Sequence, residues 1–347
     1  MRQQGKKKLS SSKVTVGIIE VAKRAGVSPA TVSRVLNDNP TVDPKIRDMV
    51  KDAISDLNYR PHFAARNLPR GQTGNLAVVT ARSSPVIFAN PFFSKVFEGI
   101  GSVLDESPYN MMMSLTPSQM KRIMDSRTVD GVILLAVREE DPYIAELESL
   151  NLPTVVIGAY RRVSNLTVFC PDYEGGVATA VRFLADLGHK RIGLLDGPSG
   201  SYKSCEGRRG FQDAIQQFGL EEVGSLTANE FLERDGFLTF CAYYGKGGPL
   251  PTAYVVSSDH LAIGLLKATS DFGIKVPEEL SIVGFGDIPI AAHLQPALTS
   301  IHGDLVEMGA EAARTLIQMV EGGKQIHRRV VYPMQIVERD STAPPKA

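Results

Sequence analysis

Apolar positions recur along this chain in two rhythms. From Gly17 to Leu57 the spacing is helical. Ile18, Val21, Ala22 and Ala25 form one stripe, and Gly26 stops it. Ser28 is a good N-cap, and Pro29 sits at a first helical position, where a missing N–H costs nothing. Ala30 to Leu36 is therefore predicted as a second short helix with Val32, Val35 and Leu36 inward, closed by Asn37-Asp38-Asn39-Pro40. Asp43-Pro44 opens a third, with Ile46, Met49, Val50, Ala53, Ile54 and Leu57 on one face. Three helices in about 45 residues make a bundle near the lower limit of autonomous stability.

Beyond Gly74 short apolar runs alternate with amphipathic stretches. The runs are Leu76–Thr80, Val129–Ala136, Thr154–Gly158, Ile192–Asp196, Ala253–Ser257 and Ser281–Phe285. Between them Phe93–Leu104, Gly176–Leu187 and Phe211–Phe218 read as helices. Such alternation predicts parallel sheets covered on both faces by helices. The stretch is too long for one core, so two doubly wound lobes with a cleft between them are expected. No internal repeat is visible.

The intervening segment, 60–74, holds Pro61, Pro69, Gly71 and Gly74 and reads as a linker. Its middle, His62 to Leu68, suits one or two helical turns that need a partner, because so short a helix does not persist alone. The expected organisation is a disordered basic arm at 1–14, a small all-α domain at 15–60 and a hinge at 61–74. A two-lobed domain follows at 75–340, then a tail at 341–347. The first lobe is expected to hold about 75–187 and 303–327, and the second about 188–302 and 328–340.

Composition narrows the classes. Hydrophobic residues make up 43% and charged residues 22% of 347, which excludes collagen-like, disordered and coiled-coil chains. No apolar run reaches the roughly 18 to 20 residues of a membrane span, and the basic N-terminus has no apolar stretch behind it to make a secretory signal. No membrane partner is expected. Cys170, Cys205 and Cys241 are widely spaced, which fits reduced thiols in a cytoplasmic protein. The net charge of zero divides into +8 over residues 1–70 and −8 over the rest, so a polyanion partner is expected for the front end alone.

Catalytic signatures are missing. There is no GxGxxG after the first strand, and no GxxxxGK[ST], HExxH or GxSxG. The six histidines, His189, His260, His293 and His302 among them, have no acid at metal or triad spacing, and Glu139-Glu140 and Glu278-Glu279 fall in polar loops. No enzyme activity, metal or cofactor is expected.

The bundle does carry chemistry. Helix, Gly turn and second helix form a helix-turn-helix layout. The second helix turns Ala30, Thr31, Ser33, Arg34 and Asn37 outward. Small residues at its start permit close approach to a major groove, and an Arg one turn later can bond guanine O6 and N7. Thr31, Ser33 and Asn37 have the reach for phosphate oxygens.

From Glu20 to Asn37 the sequence EVAKRAGVSPATVSRVLN resembles the N-terminal signature of the lac repressor/gal repressor (LacI/GalR) family. The resemblance continues through Asn58-Tyr59-Arg60-Pro61, Ala64-Ala65-Arg66-Asn67-Leu68, Asn90-Pro91-Phe92-Phe93, Val129-Asp130-Gly131-Val132 and Asp172-Tyr173-Glu174-Gly175-Gly176. It runs on through Leu187-Gly188-His189, Ser257-Ser258-Asp259, Val276-Pro277 and Val283-Gly284-Phe285 to Glu338-Arg339-Asp340-Ser341-Thr342, spanning residues 15 to 343.

The resemblance implies periplasmic-binding-protein-like lobes behind a helix-turn-helix. It implies a cytoplasmic transcription regulator, a repressor, that binds a palindromic operator on double-stranded DNA as a homodimer. DNA contacts are then expected from Ser28, Pro29, Ala30, Thr31, Ser33, Arg34 and Asn37, and from Leu68 as a minor-groove wedge on a hinge helix that folds on operator. Ala64 and Ala65 are small enough for two such helices to pair, and Pro69, a departure from the family pattern, would end the helix sharply. The competing class is a two-lobed solute-binding protein, which has no use for residues 15–68.

Relatives bind a small effector between the lobes, and here the pattern departs. The family's Arg three residues before a Gly-aromatic pair is Gly207, its Asp after Gly-Phe is Gly286, and its Asn before Asp is Ser258. Arg208, Arg209 and Asp287 stand one residue away, and one residue along a helix turns a side chain by about 100°. Three readings remain: a different, less polar or larger ligand, a protein co-regulator, or an empty cleft. Phe92, Phe93, Asp172, Tyr202, Ser258 and Asp259 are the expected cleft residues, with Phe92 and Phe93 equally suited to the core.

Overall fold

The computed structural model describes residues 16–36, 39–59, 72–125, 128–137, 152–158, 166–323 and 327–346. The expectations for the basic arm, for Asn37 and for the hinge segment with Ala64, Ala65 and Leu68 lie outside those residues. The chain divides into two compact units between Gly74 and Asn75.

In the first unit α1 (Ile18–Ala25), α2 (Pro29–Leu36) and α3 (Pro44–Asp56) close on Val21, Ala22, Ala25, Val32, Val35, Val50 and Ala53. The local signals act as their chemistry requires. Gly26 takes φ 66°, the left-handed conformation that ends α1. The Ser28 hydroxyl accepts from Thr31 N at 3.1 Å, and the Asp43 carboxylate accepts from Lys45 N at 2.9 Å. Met49 departs from the expected inward face at 51% exposure. It lies about 100° round the helix from Val50, so the buried stripe runs through Ile46, Val50, Ala53 and Ile54.

The second unit holds two sheets. The first comprises β1 (Asn75–Thr80), β2 (Asn110–Met113), β3 (Gly131–Leu135), β4 (Thr154–Ile157), β5 (Thr167–Pro171) and β12 (Arg329–Tyr332). Its order is β12-β5-β4-β3-β1-β2, parallel throughout. The second comprises β6 (Arg191–Asp196), β7 (Glu221–Glu222), β9 (Ala253–Val256), β10 (Ser281–Phe285), β11 (Thr299–His302) and β13 (Gln335–Val337), with β8 (Leu226–Thr227) beside β6. Its order is β13-β11-β10-β9-β6-β7, and β13 runs antiparallel to β11. Both sheets follow one doubly wound order, a structural repeat that the sequence does not show. Strands such as β3 and β4 are buried at every residue because helices cover both faces.

The division between lobes differs from the sequence expectation. Helix α7 (Tyr173–Asp186) belongs with the second sheet, where Val177, Ala180, Val181 and Leu184 pack with Ile192, Leu194 and Phe211. β12, expected in the second lobe, pairs with β5 of the first. The chain thus crosses between lobes after Pro171, after His302 and after Tyr332. Periodicity marks the buried stripe of α7 but not the sheet that receives it, which is why the sequence expectation put this helix in the first lobe.

The first lobe is closed by a tight helix crossing between α5 (Pro91–Leu104), which follows α4 (Ser84–Ala89), and α11 (Leu305–Val320). A Cβ on Gly99 would stand 1.9 Å from Val306 O, and one on Gly309 would stand 2.4 Å from Val96 O. The backbones therefore touch where no side chain fits. Gly99→Ala is expected to destabilise the chain by about 1–3 kcal/mol through overpacking. Gly101→Ala, two residues along the same helix with open space around its Cβ, is expected to stabilise by about 0.5–1 kcal/mol. Denaturant midpoints of the two variants check this, and equal effects would contradict the crossing.

Candidate functional site

Two surfaces carry the candidate residues, one on each unit. On the first unit α2 presents Ser28, Pro29, Ala30 and Arg34 to solvent, with Thr31 and Ser33 half-buried. The hydroxyls of Ser28 and Thr31 lie 2.9 Å apart, so both also serve the cap. The other described arginines of this unit are engaged: Arg24 pairs with Asp56, and Arg47 Nη2 donates to Asn39 O at 2.8 Å. Arg34 is different. Among the described residues its guanidinium makes no ion pair and stays free for an outside partner.

On the second unit a cavity of about 250 Å³ opens where the two sheets present the carboxyl ends of their strands. The residues that follow β1, β3, β4, β5, β9, β10 and β11 all reach it, as expected for ligand sites in open parallel sheets. The three crossings between lobes line it through Pro171, Gly303 and Met334. Ala136 and Asp287, at the ends of β3 and β10, take φ 52° and 47°. Non-glycine residues in that region carry strain that clusters at binding sites.

Of the sequence-predicted cleft residues, Phe92, Phe93, Tyr202, Ser258 and Asp259 line this cavity. Phe93 is 2% exposed and belongs to the first-lobe core, whereas Phe92 is half-buried and meets it edge-on, with ring centroids 5.4 Å apart. Ser258 precedes α10 (Asp259–Asp271) and makes no capping bond with its hydroxyl. Asp172 is not among the lining residues. Its carboxylate caps α7, accepting from Gly175 N at 2.9 Å.

The cavity's carboxylates are held by the protein. Asp259 accepts from Ile288 N at 2.9 Å and from Ser300 Oγ at 2.6 Å, and its burial raises its pKa. This acid requires the glycine at 284, where a Cβ would stand 2.2 Å from Asp259 Oδ1. Asp287 accepts from Arg339 Nη2 at 2.6 Å and lies 3.1 Å from His302 Nδ1. Arg208 pairs with Glu222, and Arg209 with Glu174 and Glu206. Arg208 and Arg209 are not among the lining residues, whereas Asp287 lines the cavity while paired with Arg339.

The residue that sequence reasoning missed is Lys203, in the first turn of α8 (Tyr202–Gln217). It precedes Gly207 by four residues, so it occupies the same helix face one turn nearer the cavity. That i−4 relation was the available signal. Its Nζ lies 4.5 Å from the Phe285 ring centroid, 5.4 Å from that of Phe231 and 5.5 Å from that of Tyr173. Burial pushes its pKa down to about 8, against the opposing pull of Asp259 and Asp196. Tyr202 OH accepts from Arg329, and the Tyr173 ring sits edge-on to Tyr202 at 5.7 Å.

Among the described residues no group of three or more His, Cys, Asp or Glu side chains is placed to hold a metal, and no helix is long and apolar enough to cross a membrane. The cysteines are free thiols.

Lys203 carries a pH dependence whose sign is fixed. An unfolded lysine holds its proton to roughly pH 10.4, so between about 8 and that value the unfolded chain binds more protons than the folded one. Stability from this group therefore rises with pH over that window. Lys203→Met is expected to remove the rise, and denaturation at pH 7.5 and 9.5 compares the two proteins. An identical pH response in both would contradict a desolvated ammonium at this position.

Comparison with known proteins supplies the context. Residues 17–62 match bacterial regulatory proteins of the lacI family, and residues 181–342 match a periplasmic binding protein-like domain. The HTH-type transcriptional regulator CelR of Thermobifida fusca is 30% identical over 92% of this chain and 96% of its own. The HTH-type transcriptional regulator AscG of Escherichia coli is 31% identical over 94% and 98%. The solved structure of a lac repressor dimer bound to operator and the anti-inducer ONPF superposes with a TM-score of 0.84 at 25% identity, covering 94% of this chain and 99% of that one. A CelR–cellobiose complex gives 0.73 at 27% identity, covering 94% and 99%.

Proposed function

Because this chain belongs to the lacI family of bacterial regulatory proteins, whose members are DNA-binding transcription regulators, we propose that it is a cytoplasmic repressor that binds a palindromic operator as a homodimer. The observation that carries this reading is the exposed face of α2, where Ala30 and the unpaired Arg34 stand ready for a major groove. One such helix reads only a half-site, so two copies related by a twofold axis double both contact and specificity. The related lac repressor is seen as a dimer on operator, which supports the same assembly here. Arg34 then faces a guanine, and Ala30 leaves room for a thymine methyl. Leu68 wedges into the minor groove at the centre of the palindrome and bends it.

The cavity of the second unit is the effector site. Its size suits a small molecule, and its lining combines aromatic rings with a few polar groups, as ligand pockets do. The cellobiose complex of the similar regulator CelR supports a small-molecule effector over a protein co-regulator. An effector that fits one relation of the lobes better than another shifts the population of DNA-binding forms by that difference in affinity.

Two substitutions test the DNA side. Arg34→Ala is expected to cost about 1–3 kcal/mol on the best duplex and to relax discrimination at one base pair per half-site. A loss of equal size on every sequence would remove the guanine contact. Leu68→Ala is expected to weaken operator binding and reduce the bend, and gel mobility of circularly permuted fragments reads the angle. An unchanged bend with weakened binding would remove the wedge.

A further inference from the structure

Lys203 is costly where it stands. An ammonium at the second position of a helix opposes the helix dipole, which favours negative charge there. It is half-buried, with its pKa lowered by lost solvation. Among the described residues it has no hydrogen bond or ion pair, only the faces of Tyr173, Phe231 and Phe285. The two acids whose charges pull on it make no ion pair with it and accept from neutral donors. Asp259 is bonded to Ile288 N and Ser300, and Asp196 accepts from Gly197 N at 2.8 Å. Of the other charged groups that line the cavity, Lys95 pairs with Glu98, Asp287 with Arg339, Asp304 caps α11, and Arg82 and Glu230 each have a partner. Among the described residues the Lys203 ammonium is thus left without a hydrogen-bond acceptor or direct ion pair while lining a cavity.

A second unmet group lines the same cavity. The Nδ1 of His260 lies 3.1 Å from Glu233 Oε1, an acceptor, so Nδ1 carries the hydrogen. Its Nε2 is buried without a partner among the described residues and is open to a hydroxyl, as acceptor in the neutral ring or as donor in the imidazolium. The cavity thus holds an ammonium without a direct acceptor and an imidazole nitrogen without a partner, and the Phe92 and Tyr202 rings line it with them.

We propose that the effector is an anionic, hydroxyl-bearing ring compound, a sugar acid or sugar phosphate, whose charged oxygens bind Lys203 and one of whose hydroxyls bonds His260 Nε2. This rests on the effector reading of the cavity and names its ligand class. Neutral sugars leave the ammonium desolvated and unmatched, so the site discriminates against them. A Cβ on Gly207 would meet only Val177 Cγ2, at 3.4 Å, and Gly207 does not line the cavity, whereas Lys203, one turn earlier on the same face, does.

The test is calorimetric titration of the full chain at pH 7 with matched probes. Glucose is compared with glucuronate and with glucose 6-phosphate, and inorganic phosphate with chloride at equal ionic strength. The charged probes are expected to bind about ten- to a hundredfold more tightly than their neutral partner, the range of a charge-assisted hydrogen bond. Lys203→Met should abolish that preference and Lys203→Arg should keep it. The preference should also fade between pH 7 and 9 as the ammonium loses its proton. Thermal unfolding of both variants at pH 7 verifies that each is folded, and the glucuronate and glucose 6-phosphate arms separate a carboxylate from a phosphate. The proposal is overturned by equal affinity for glucose and its charged partners, by an undiminished preference in Lys203→Met, or by no response to any charged probe. Intact operator binding alongside any of these outcomes leaves the regulatory reading standing, whereas a wild-type chain indifferent to palindromes removes that reading instead.

Discussion

Parallel strands impose the constraint on which the second unit depends. In a parallel sheet every carboxyl end lies on one edge, and each sheet here turns that edge toward the same cavity. Residues far apart in sequence, from Arg82 to Met334, are therefore gathered without any local motif to announce them. The strands need not be polar to make a polar site. The central strands β3, β4, β5, β9 and β10 are buried from end to end, and the polar lining begins just beyond them. Ala136 follows Leu135, Ser258 follows Val256-Ser257, and Gly286 follows Phe285. Asp259 holds the floor together, tying α10 to the loop after β10 and to β11 through Ile288 and Ser300.

The first unit was legible because its information is local. Gly26, Ser28, Pro29 and Asp43 act within a few residues of themselves, through a left-handed turn, two caps and a fixed φ. The six apolar runs of the lobes were legible for a related reason, since burial on both faces leaves no polar interruption. β11 was not, because Thr299 and Ser300 look like loop residues. Both are buried, and both are satisfied from afar, by Ser341 Oγ donated to by Thr299 N at 2.9 Å and by Asp259. The assignment of α7 and β12 to lobes is set by which sheet receives them, and no residue spacing encodes that choice.

The cleft shows the same limit. Matching positions to a family pattern located what is missing, at Gly207 and Gly286, and placed five aromatic and polar residues that do line the cavity. It did not locate Lys203, which sits where the pattern asks for nothing. Asp172 illustrates the opposite case, a carboxylate at a matching position whose local duty is a helix cap. What a carboxylate or ammonium offers a ligand depends on which protein groups already hold it, and only three-dimensional placement tells that. By this measure Asp259 and Asp287 are engaged, whereas Arg34 on one unit and Lys203 on the other remain available.

The central claim is that the front unit reads duplex DNA in twofold fashion. Selection from a pool of randomised duplexes at physiological ionic strength, followed by sequencing and by the mass of the protein–DNA complex, addresses it most directly. The account predicts enrichment of an inverted repeat with a guanine fixed at the same place in each half, held by two chains per duplex. Enrichment of no sequence, or of an unpaired half-site held by a single chain, would contradict it.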